Sequence, residues 1–282
     1  MGTMCEFCVK HGEGKKWYLQ AKNYAQDLWS DLRRRRMIAD FFNNFNRDMR
    51  QSLDNLERLA RAPKFVQGMV RRIATGRQKK THFGQVVPIE DVERIFEVVD
   101  SVVRAPCVCR RLTTGREDRL CFGVAMGSAA SRLGEIVDPS YWEGPDGKGL
   151  ETLDKATALQ MMRDFEGDGL VHSVWTFVTP FIGGVCNCDR ADCIAMRTTV
   201  TSGIPAMFKG EYVASVDWDK CTGCRSCMRV CQFGAIGYSA GARKAAIDLL
   251  YCYGCGICRA ACEQKAISLR ERAEVPLVAR NW

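Results

Sequence analysis

Two stretches of the 282-residue chain constrain it more than any other feature: CTGCRSCMRVC at residues 221–231 and CYGCGICRAAC at residues 252–262. Each crowds four thiols into one short loop. Neighbouring cysteines this close rarely meet the geometry of a relaxed disulfide, so paired bridges are a poor account. A single zinc ion is a poor account too, because zinc modules usually spread two Cys-x-x-Cys pairs across a dozen or more residues. The spacing C-x2-C-x2-C-x3-C, written twice, suits a cubane iron–sulfur core, which needs four thiolates around a compact inorganic unit. The repeat runs past the thiols, since both copies continue from the fourth cysteine with three residues and then Ala-Ile. Short strands are expected around the loops at 212–216, 236–238, 246–249 and 267–269.

Residues from about 211 to 272 resemble the bacterial dicluster 4Fe-4S ferredoxin family. The resemblance implies a pseudo-symmetric fold in which the fourth cysteine of each run ligates the other cluster. Carried over, one cluster takes Cys221, Cys224, Cys227 and Cys262, and the other takes Cys252, Cys255, Cys258 and Cys231. Gly223 and Gly254 suit a close backbone approach to each core. One departure is plain: the family usually has proline after the fourth cysteine, where this chain has Gln232 and Glu263.

The chain is too long for that module alone. It lacks a run of apolar residues long enough for a membrane span, and its first residues lack the apolar stretch of a secretory signal. Sixteen cysteines in such a chain point to metal ligation in a reducing compartment, so a cytoplasmic location is expected. The net charge of +8 is uneven. Residues 1–110 hold 21 Lys and Arg against 13 Asp and Glu, and the remainder is balanced.

Residues 16–62 read as helical, with Leu28, Leu32, Ile38, Phe41, Phe42 and Phe45 recurring at three- and four-residue spacing and Pro63 as the stop. The arginine run at 33–36 reads by itself as a solvated face. Together with Trp17, Trp29, Phe41, Phe42 and Phe45, the charge predicts a docking element, since arginine and aromatic rings favour interfaces. Residues 66–81 add a basic segment weakened at Gly68 and Gly76. Pro88 opens a further helix, with Val92, Ile95, Phe96, Val99, Val102 and Val103 on one face, expected to run to Ala105. Residues 150–166 read as a helix, and GLVHSVWTFV at 169–178 reads as a strand.

Eight cysteines lie outside the repeat. Cys107, Cys109 and Cys121 form one group, Cys186, Cys188 and Cys193 another, and Cys5 and Cys8 a third. PCVCR, GLVH and CNCDRADC resemble segments upstream of ferredoxin modules in larger iron–sulfur proteins of anaerobes. Six cysteines in two groups are hard to explain as core filling, so they are candidate ligands for a further iron–sulfur cluster or a structural zinc. CEFCVKH is not a haem site, because no histidine directly follows its second cysteine. His11 and His172 are weaker candidates. No phosphate-binding loop or dinucleotide fingerprint is present.

The expected molecule is α+β in three parts: a basic helical docking region at 1–84, a Cys-rich middle domain at 85–210 and a dicluster domain at 211–282. Its expected role is that of an electron-transfer subunit relaying single electrons to the other redox subunits of an oxidoreductase complex. Two alternatives are an enzyme with a catalytic cluster or metal in the middle domain, and an iron–sulfur regulator using its basic end on nucleic acid. With no recognisable helix-turn-helix, nucleic acid is not the expected partner.

Overall fold

The computed structural model describes residues 16–81, 84–138, 140–143 and 149–281. Cys5, Cys8 and His11 lie outside the described residues. Two 3-10 turns, Trp17–Leu19 and Ala21–Tyr24, lead into α1 (Gln26–Ser30), α2 (Leu32–Arg61) and α3 (Lys64–Thr81). Asp31 caps α2, its carboxylate accepting the backbone N–H groups of Arg33 and Arg34 at 2.8 and 3.2 Å. The break between α2 and α3 falls at Pro63, which cannot continue a helical hydrogen-bond ladder.

The rings assigned above to docking are used inside the chain. Trp17 is buried with Tyr18 and Tyr24 against the main sheet. Trp29, Ile38 and Phe42 are buried with Trp142, Phe177 and Phe181, and Phe45 is buried against the ring of Phe41. Each buried ring removes a large apolar area from water, which outweighs exposure for a partner. Arg34 also leaves the expected solvated face. It is 4 % exposed, donates from Nε to the Phe177 carbonyl at 3.0 Å and lies over the Phe181 ring.

Strand β1 (Gly84–Val86) precedes α4 (Ile89–Val98). Helix α4 stops short of the expected Ala105: Val99 is already extended, and Ser101–Ala105 forms β2. The β-branched pair Val102-Val103 favours a pleated strand over a helical turn. Then come α5 (Val108–Thr114), β3 (Cys121–Ala125), α6 (Ala129–Gly134), α7 (Ser140–Glu143), β4 (Glu151–Leu153) and α8 (Lys155–Gly167). Asp154 caps α8, so the helix expected from residue 150 begins after a short strand. Next are β5 (Val171–Thr176), β6 (Ile182–Cys188), α9 (Ile194–Val200) and β7 (Met207–Phe208).

These strands form one sheet in the order β4-β2-β3-β6-β5-β1-β7, antiparallel except at β1–β7. The period-2 pleat divides its residues between two faces. Phe122, Val124, Ile182 and Val185 join Val92, Ile95, Phe96 and Met162 from α4 and α8. The other face carries Cys186 and Cys188, packed with Val171, Trp175 and Met196.

The C-terminal module pairs β8 (Tyr212–Val216) with β11 (Ile267–Glu271), and β9 (Ile236–Ser239) with β10 (Lys244–Ile247). Its short helices are α10 (Ser226–Val230) and α11 (Ile257–Ala260), each starting inside a cysteine run. The fold is thus α+β. No helix among the described residues is long and apolar enough to cross a membrane.

Candidate metal centres

The two cysteine runs frame two cavities. One is lined by Cys221, Cys224, Cys227 and Cys262. The other is lined by Cys231, Cys252, Cys255 and Cys258. Each cavity therefore gathers three thiols from one run and the fourth from the other. Backbone donors converge on these sulfurs: Ala235 N–H on Cys231 at 3.3 Å, Ala266 N–H on Cys262 at 3.4 Å and Ala214 N–H on Cys252 at 3.4 Å. Ala235 and Ala266 are the alanines of the repeated Ala-Ile, so that part of the repeat supplies a donor to each fourth cysteine. Such donors stabilise negative charge on ligating sulfur.

Gly223 and Gly254 both adopt φ of +72°. A Cβ on Gly223 would run into the Arg243 carbonyl, and one on Gly254 into the Tyr212 carbonyl. Their glycine requirement comes from the module's own backbone as well as from left-handed φ.

The two cavities differ in setting. Cys224 and Arg225 are exposed at the first. At the second, burial pushes the Cys255 and Cys258 thiols well up, so a metal is needed to deprotonate them. Beside that cavity Arg272 is fully buried, donating to the carbonyls of Gly210, Tyr212 and Cys252 at 2.8, 2.7 and 2.9 Å. Burial pushes its guanidinium down to about 10. Arg272 lies outside the repeat and carries no motif, which is why the sequence did not single it out.

The six middle cysteines also come together. Cys121 and Cys186 are cross-strand partners, with sulfurs 3.6 Å apart. Cys188 and Cys193 have sulfurs 3.3 Å apart. Cys107 takes hydrogen bonds from Cys109 and Cys121, which hold its thiol well below the usual range. Cys193, bonded by Cys109 and Cys188, is lowered in the same way. The sulfurs thus run in one series, 186–121–107–109–193–188. Arg110, beside Cys107, is held by Asp118 at 2.8 Å and by Asp189.

His172 does not join them. The pleat puts it on the face opposite Cys186 and Cys188, paired with Asn187. Asn187 donates to the Leu120 carbonyl at 3.0 Å, which leaves its Oδ1 to accept from His172 Nδ1 at 2.6 Å. Burial pushes the imidazole down to about 4.

The second cavity abuts the sheet face that carries the middle cysteines. Cys231, Cys255, Phe233 and Ile257 share one apolar cluster with Cys109, Cys186, Cys188 and Cys193. Gln232, standing where the ferredoxin pattern has proline, spans this junction. Its amide donates to the Gly169 carbonyl at 3.1 Å and accepts the Arg190 N–H at 3.0 Å. Glu263, at the equivalent place in the other run, is exposed.

Residues 220–267 match the family described as a 4Fe-4S dicluster domain, a span that contains all eight cysteines of the repeat. Among curated proteins none matches this chain.

Proposed function

We propose that this protein is an electron-transfer subunit of a cytoplasmic, multi-subunit oxidoreductase, relaying single electrons through two 4Fe-4S clusters. The observation that carries the reading is the pair of cavities, each framed by four cysteines drawn from both runs. A bound cubane would supply a one-electron redox station in each. The chain's own residues do the rest. Cys221, Cys224, Cys227 and Cys262 hold the outer centre, and Cys231, Cys252, Cys255 and Cys258 hold the inner one. Exposed Cys224 and Arg225 suit the outer centre to a docked redox partner. Arg272 braces the inner loop through the Cys252 carbonyl.

On this reading residues 85–210 form a middle domain whose six cysteines hold a further metal centre, residues 211–282 the dicluster domain, and residues 1–84 a basic region that engages the partner subunits. Docking rests on Phe65, Met69 and Ile73 of α3, which are 76, 57 and 67 % exposed and fall four residues apart on one helical stripe.

The test is anaerobic purification of the native complex, with identification of co-eluting subunits and low-temperature EPR of the reduced chain. Expected are about eight irons in the dicluster, two one-electron signals and a redox-active partner. A chain with that iron but no redox partner would overturn the subunit role. A chain without iron would overturn the conduit.

A further inference from the structure

Across residues 46–78, the second half of α2 and most of α3, no residue is buried. On α3 the apolar side chains of Phe65, Met69 and Ile73 form an exposed ridge. Beside it runs a second exposed row, Gly68, Arg72 and Gly76, with open space where a side chain on either glycine would begin. Charge here is one-sided. Helix α3 carries six Lys and Arg and no Asp or Glu, and residues 46–81 hold ten Lys and Arg against three Asp and Glu. Arg72 and Arg77 are exposed and make no ion pair among the described residues. We propose that α3 seats an acidic amphipathic helix of a partner subunit, whose apolar side chains cover Phe65, Met69 and Ile73 and whose carboxylates meet Arg72 and Arg77. This rests on the reading that the basic region engages a partner subunit, and it adds the shape and charge of what covers α3.

Relief selects a helix. A ridge of residues four apart with a shallow row beside it is the surface into which another helix packs its own four-residue ridge. Gly68 and Gly76 carry no side chain to hold that helix away, so it reaches Met69 and Ile73.

Charge selects an acidic one. A second copy of this chain would set the same positive excess against itself, and like charges facing one another cost binding. An anionic lipid surface would suit the charge but needs a broad apolar face, whereas Arg72 interrupts this one and Val66 and Val70 are half-buried. A nucleic acid would use the arginines and leave the three apolar side chains facing phosphate and water. An acidic helix uses both. In such a contact the apolar ridge governs how long the complex lasts, and the arginines at its rim govern how fast it forms and how salt weakens it.

The experiment is zero-length cross-linking in the native complex, with the iron–sulfur absorbance as folding control. The Arg72→Lys variant keeps the charge and puts a primary amine on the ridge, and a water-soluble carbodiimide joins an amine to a carboxylate in contact with it. Expected is an α3 peptide joined through position 72 to an Asp or Glu of a co-eluting subunit, within a stretch whose apolar residues recur at three- and four-residue spacing. Arg72→Glu combined with Arg77→Glu should slow association about tenfold at low salt, with the difference closing as salt rises. Phe65→Ser should instead speed dissociation. A cross-link between two copies of this chain would overturn the proposal in favour of self-association. Binding to vesicles of three parts phosphatidylcholine and one part phosphatidylglycerol, lost in the double arginine variant, would overturn it in favour of a lipid surface. Cross-links confined to other elements, or a double variant that associates as wild type does, would remove the acidic helix and leave the subunit role standing. Absence of any co-eluting redox subunit would overturn the wider reading as well.

Discussion

Cys231 belongs to the first cysteine run by chain position but lines the cavity of the second. Cys231→Ala should therefore damage the centre held by Cys252, Cys255 and Cys258 and leave the other better preserved. Low-temperature EPR of the reduced variant reads this directly, and loss confined to the Cys221, Cys224 and Cys227 centre would contradict the assignment. A second residue, His172, makes stability depend on pH. Its folded-state value near 4 lies below the ordinary 6.5, so the unfolded chain binds the extra proton. The neutral, buried ring favours folding fully above about pH 6.5, and that contribution fades as pH falls toward 4, by up to roughly 3 kcal/mol. Denaturation of His172→Gln across this window should show a flatter pH dependence than wild type. Parallel curves would show that the ring is not held neutral.

Among the described residues, α3 is an element whose apolar stripe finds no cover. Phe65, Met69 and Ile73 point outward together, while the aromatic residues of α1 and α2 turn inward. Changing all three to Ser should leave the iron–sulfur spectrum intact and weaken co-purification with the partner subunit by tenfold or more, about 1.4 kcal/mol or above. Undiminished co-purification would remove α3 from the interface. Deleting residues 1–62 is the less informative test, because it also removes Trp17, Tyr18 and Tyr24 from the sheet's core.

At the scale of the molecule, the C-terminal module packs directly against the part of the chain that carries the seven-stranded sheet. Gln232 bonds across the junction, and Glu90 pairs with Arg259 at 2.5 Å. Gln232→Pro would restore the proline usual in ferredoxins but remove both bonds to the middle domain. Expected are retained clusters, a loss of about 1–2 kcal/mol in stability, and faster amide exchange around Gly169 and Arg190. Unchanged exchange there would mean the junction is held without Gln232.

The dicluster family match was legible in the sequence because its signature is local: eight thiols within two short runs, with glycines where left-handed backbone is needed and Ala-Ile repeated where an amide meets sulfur. Strand β5 and the stop at Pro63 were legible for the same reason, since β-branched content and a missing N–H act on the chain where they stand. The end of α4 was misread because Val102 and Val103 satisfy a helical face and a strand equally, and only pairing of β2 with β3 and β4 decides between them. The inward turn of Trp17, Trp29 and Arg34 was equally hidden, because composition cannot distinguish a ring that meets a partner from one that meets Phe181. The convergence of six thiols from residues 107–121 and 186–193 is the clearest case. Antiparallel pairing of β3 with β6 sets Cys121 opposite Cys186, and a register shifted by one residue would have sent those thiols to opposite faces. Local spacing thus determined which residues could hold iron, and sheet register decided which other sulfurs met.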